Sequence, residues 1–162
     1  MVDAGGHGRS FTSAVVLLDT NVLVYAVDSS EPDKSVRARS ILDSLESAGA
    51  ASLCAQVLGE YCSVALRKFR HLVPPENVVP QAEAWARTFP VRNTTTRVVL
   101  QALRGTIRYQ MPYYDAQIWA VARVNQIPLV LSEDFADGTV IEGVRFANPF
   151  AEGFDLEAAL AQ

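Results

Sequence analysis

Four acidic residues, Asp19, Glu60, Asp115 and Asp134, carry the chemistry this sequence offers. Asp19 ends the apolar run Val15-Val16-Leu17-Leu18, which reads as a strand buried on both faces. It then stands at the strand's carboxyl end, where open α/β sheets bind ligands, though it also suits a helix N-cap. Asp115 shares a helical face with Ile118, Trp119 and Ala122, and a carboxylate on such a stripe needs a partner. Asp134 follows a second buried strand, Pro128 to Leu131, and so emerges at the same sheet edge as Asp19 if the two strands are parallel neighbours. Glu60 lies at the margin of an apolar helical arc, where an acid is ordinarily solvated. Together the four make a cluster with no His or Lys to neutralise it, which calls for a hard cation. Mg²⁺ or Mn²⁺ suits all-oxygen ligands, and the chemistry such a site performs is metal-assisted hydrolysis of a phosphodiester.

The elements that must position these acids alternate between strand and helix. The spacing predicts helices from Asp33 to Ser47, Gln56 to His71, Pro75 to Thr88, Thr94 to Tyr109 and Pro112 to Asn125. Short strands are expected at Ala50 to Leu53, Phe89 to Val91 and Val144 to Ala147, beside the two stronger ones. Strands separated by helices imply crossover connections, hence a mostly parallel sheet covered by helices on both faces. Residues 1–13 read as a flexible leader, residues 14–150 as the folded domain and residues 151–162 as a tail. At 162 residues, with 49% apolar and 20% charged side chains, the chain is long enough for a sizeable core and too apolar for disorder. No run is long enough to span a bilayer, and two cysteines, Cys54 and Cys62, fit neither a disulfide scaffold nor a zinc site. A reducing, cytoplasmic setting is the expectation.

The net charge of −4 conceals a segregation. Residues 65–110 hold 8 basic and 2 acidic side chains, whereas residues 111–162 hold 2 basic and 8 acidic ones. Arg97, Arg104 and Arg108 fall within a narrow helical arc, with Gln101 beside them. This stripe is either a solvated face or a contact for RNA phosphates or an acidic partner segment.

The motifs around the acids are similar to those of a known family. Leu18-Asp19-Thr20-Asn21-Val22-Leu23 resembles the opening motif of the PIN-domain nucleases, in particular the VapC-like toxins of toxin–antitoxin pairs. Gln56-Val57-Leu58-Gly59-Glu60-Tyr61 looks like their second motif and Tyr113-Tyr114-Asp115-Ala116 like the third. Leu131-Ser132-Glu133-Asp134-Phe135, with Gly138 and the closing Asn148-Pro149-Phe150, is similar to the fourth motif and the family's C-terminus. The resemblance implies a three-layer α/β/α fold and an endoribonuclease dependent on Mg²⁺ or Mn²⁺. It makes Asp19, Glu60, Asp115 and Asp134 the catalytic and metal-binding quartet, with Thr20, Asn21, Ser132 and, more weakly, Asp137 as polar helpers. It further implies an RNA substrate, a cognate antitoxin and a homodimer. Two neighbouring readings are an RNA-processing PIN nuclease without an antitoxin and a catalytically inactive PIN binding module. A haloacid-dehalogenase-like phosphatase would need a second Asp where Asn21 stands.

Overall fold

The strand that delivers Asp19 lies in the middle of a six-stranded sheet. The computed structural model describes residues 16–161, so the expected leader, residues 1–13, lies outside the described residues. In chain order the elements are β1 (Val16–Leu18), α1 (Thr20–Val27), α2 (Pro32–Ala48), β2 (Ala51–Cys54), α3 (Ala55–Lys68), α4 (Pro75–Thr88), β3 (Val91–Arg92), α5 (Thr96–Tyr109), α6 (Tyr113–Val124), β4 (Leu129–Leu131), β5 (Val140–Ile141), β6 (Val144–Ala147) and α7 (Leu156–Leu160). The sheet order is β3-β2-β1-β4-β6-β5, parallel except for the edge strand β5. Helices cover it in an α/β/α arrangement, with α1 packed against both α2 and α3, α3 against α4, and α5 against α6.

This order has a switch point. The chain runs from β1 outward through β2 to β3, then returns to β1's other side with β4. Leu18 pairs with Leu131, so the carboxyl ends of β1 and β4 are level, and the crevice above them is where such sheets bind ligands. Every residue of β1 and β4 is buried, as their unbroken apolar runs require. The core continues into Leu53, Val57, Tyr61, Phe89, Trp119 and Phe146.

Three features depart from the expected elements. The segment after Asp19 is a full helix, α1, because the Asp19 carboxylate caps it. The third strand forms at Val91–Arg92, one residue beyond the expected Phe89 to Val91; Phe89 instead closes α4 and buries its ring. A two-residue turn, Glu142-Gly143, folds β5 back onto β6, with both residues at positive φ (47° and 81°). Beyond the sheet, Arg145 donates to the Ala159 carbonyl and Arg37 to that of Phe154, fastening the C-terminal segment that carries α7.

The helix pair α5–α6, which carries Asp115, meets closely at Gly105. A Cβ there would lie 2.6 Å from the Trp119 ring, so only glycine permits this approach. Trp119 in turn donates its indole N–H to the Ile141 carbonyl, tying α6 to the sheet edge.

Candidate active site

Asp19 is 3% exposed and is held by three donors. The backbone N–H of Thr20 and the hydroxyl of Ser132 each donate to it at 2.6 Å, and the Asn21 amide at 3.2 Å. Ser132 is wholly buried at the end of β4; its oxygen also accepts from the Asp134 backbone N–H at 3.0 Å and from the Asn21 amide at 3.3 Å. The same Asn21 amide reaches the Asp134 carboxylate at 3.2 Å. One serine and one asparagine therefore lock together the acids that follow β1 and β4.

Glu60 joins the group from α3. Thr20 donates to its Oε2 at 2.8 Å and Gln56 to its Oε1 at 2.9 Å. The Gln56 amide also donates to the Tyr114 carbonyl at 3.2 Å, which couples α3 to the first turn of α6 just before Asp115. Gln56 was not a predicted site residue, although its i, i+4 spacing from Glu60 is the signal that identifies it.

The electrostatics of the four acids are mutually unfavourable. Burial pushes the Asp19 carboxyl up to about 6, and the charges of Asp134 and Glu60 add to this against the opposing bonds from Ser132 and Thr20. Asp115, half-buried, is raised by the same causes: burial first, then Asp134 and Glu60. Among the described residues none of the four has an ion-pair partner.

The residues nearby that do not join are equally informative. Glu133 turns away to Lys34 at 2.7 Å and to the Tyr25 hydroxyl, with Lys34 also over the Tyr25 ring. Asp137 accepts from the Asn148 backbone N–H at 2.8 Å, bracing the loop after β4 and giving the side chain a local structural task. Cys54 is buried beside the site, and burial pushes its thiol up to about 11, which keeps it inert. The arginine stripe is divided. Arg97 and Arg104 are exposed and have no hydrogen bond or ion pair among the described residues, whereas Arg108 bonds Glu142 at 3.3 Å.

The donor chemistry fits a hard cation. All four acids offer oxygen, and the buried Asn21 Oδ1 has no hydrogen-bond partner although its amide nitrogen is fully used. Among the described residues no three Asp, Glu, His or Cys side chains are gathered tightly enough to enclose an ion alone. Mg²⁺ commonly takes only one or two carboxylates and keeps its waters, for which a spaced acidic rim with a free amide oxygen is suited.

A mostly parallel sheet with acids above its switch point defines an α/β ligand-binding fold with an acidic site. The PIN domain model matches residues 16–136, and the chain belongs to the PIN-domain family. No curated protein matches the chain in sequence. Solved structures share the fold. A toxin–antitoxin complex from Klebsiella pneumoniae aligns with a TM-score of 0.60 at 18% identity, over 83% of this chain and 98% of that one. A DNA-bound VapBC from Salmonella typhimurium gives 0.62 at 16%, over 84% and 98%. VapC20 of Mycobacterium tuberculosis, a toxin that cleaves the sarcin–ricin loop, gives 0.56 at 17%, over 71% and 86%.

Proposed function

We propose that the chain is a Mg²⁺- or Mn²⁺-dependent endoribonuclease that acts in the cytoplasm as the toxin of a toxin–antitoxin pair. The observation that carries this reading is the convergence of Asp19, Glu60 and Asp134 through Thr20, Asn21 and Ser132, with Asp115 within electrostatic reach. In this reading Asp19, Glu60, Asp115 and Asp134 form the acidic rim that would hold the cation, one or two of them directly and the others through its waters, and the cation would supply charge neutralisation at the phosphate and activation of a water. Ser132 and the Thr20 N–H fix Asp19 in its ionised, ligand-ready orientation. Asn21 spaces Asp19 from Asp134, and Thr20 and Gln56 fix both oxygens of Glu60. The substrate in this reading is RNA and the partner an antitoxin, in keeping with the Klebsiella toxin–antitoxin complex and the sarcin–ricin-loop-cleaving VapC20 that share the fold.

Two surfaces support the assembly this reading requires. Leu100, Leu103 and Ile107 form an exposed apolar ridge along α5, suited to a homodimer or to antitoxin cover. Beside it Arg97 and Arg104 are free to take RNA phosphates or an acidic antitoxin segment; reversing both charges should weaken one of the two affinities. The decisive test is cleavage of structured RNAs with Mg²⁺ or Mn²⁺ by the wild type and Asp19→Asn. Metal-dependent cleavage lost in the variant is the expected result, and equal cleavage by both, or by neither with any metal, overturns the reading.

A further inference from the structure

Tyr114 stands one residue before Asp115 in the first turn of α6 and is 64% exposed. An exposed tyrosine contributes little to folding, yet this one is held in place from two sides. Its ring meets that of Tyr113 edge-on, with centroids 5.4 Å apart and planes at 69°, and Tyr113 packs on the core. Its carbonyl accepts from Gln56, whose amide also holds Glu60. Its hydroxyl has no partner among the described residues. Among the large hydrophobic side chains exposed on the described residues, it is the aromatic one, and it adjoins an acid of the site.

The geometry points to Tyr114 as a stacking platform for an unpaired nucleobase next to the scissile phosphate, braced by Tyr113 and Gln56. Every base offers a π-face, and an exposed aromatic ring carried one residue from Asp115, on backbone tied to Gln56, captures one only where it is free of a duplex. The platform therefore selects single-stranded or looped RNA. This inference rests on the nuclease reading, and its test separates the two.

The experiment uses the full chain and a single-stranded RNA oligonucleotide carrying 2-aminopurine at successive positions, with a base-paired hairpin of the same sequence as control. Tyr114→Ala is expected to raise KM for the single strand about tenfold, within what base–aromatic stacking is worth, while kcat stays within about twofold. Tyr114→Phe and Tyr114→Trp should restore wild-type KM, and 2-aminopurine quenching in Ca²⁺ at one position should vanish in Tyr114→Ala alone. A Tyr114→Ala KM within twofold of wild type, or Tyr114→Phe as impaired as Tyr114→Ala, overturns the platform and leaves the nuclease standing. A wild type that cleaves no RNA overturns both.

Discussion

Two carboxylate centres in this small molecule are built on opposite plans. At the carboxyl ends of β1 and β4, several acids are tied to one another through uncharged residues, Thr20, Asn21 and Ser132, and none meets a cation among the described residues. In the β5–β6 turn a single acid, Glu142, is bonded by Arg108 and Arg123, each at 3.3 Å, and by the Tyr109 hydroxyl. The consequences are opposite in sign. Asp19 is pushed up to about 6 by burial, whereas the Tyr109 hydroxyl and the two guanidiniums hold the Glu142 carboxyl below its usual range. Glu142 is satisfied as it stands, pinning the edge hairpin to α5 and α6. The acids around Asp19 are left with their repulsion unrelieved, which is the condition of a site waiting for a positive ligand.

The sharpest way to break this contrast is to neutralise each centre in turn. Asp19→Asn should lower metal-dependent cleavage roughly a thousandfold, since metal-borne charge stabilisation is worth several kcal/mol, while Glu142→Gln leaves the cleavage rate unchanged. Equal losses in a cleavage assay would erase the distinction.

The pH dependence of stability gives the next largest effect. Asp19's folded value lies above its ordinary 3.8, so folding favours its protonated form. Its contribution is therefore full below pH about 4 and is lost as pH rises to about 6, by at most about 3 kcal/mol. Denaturant titrations of the metal-free protein should show that decline, Asp19→Asn should flatten it, and Mg²⁺ at pH 7 should restore stability to the wild type only.

A smaller effect is expected one contact further out. Ser132→Ala removes the buried hydroxyl that donates to Asp19 and should weaken Mn²⁺ binding about 10- to 100-fold by calorimetry, with the fold retained. Smallest of all, Glu142→Gln should cost no more than about 1 kcal/mol in thermal unfolding, because Arg108 and Arg123 are largely exposed partners.

Legibility in the sequence follows the same division. β1 and β4 were readable because a strand covered on both faces shows no polar side, and the acids stood out at the ends of those runs. The parallel sheet followed from helices lying between strands. The Glu142 centre was invisible, since its partners come from 19 and 34 residues away and its strand β5 is only two residues long. Gln56 stands four residues before Glu60, a spacing that pairs them on one helix face, but its second bond is to a backbone carbonyl 58 residues on, which no side-chain pattern records. Asp137 enters as a helper only through the family resemblance, and the fold shows its carboxylate accepting from the Asn148 backbone N–H.

The bond from Ser132 to Asp19 joins residues 113 positions apart in the chain. During synthesis, residues 16–68 leave the ribosome with Asp19 and Glu60 already present, yet β4 and Ser132 have still to be made. A growing chain thus lacks the strand that pairs with β1 on its open side and the hydroxyl that orients its first acid. The wide separation therefore sets an order of assembly: the hydrogen-bond network that orients Asp19 closes only once β4 and Ser132 have been made.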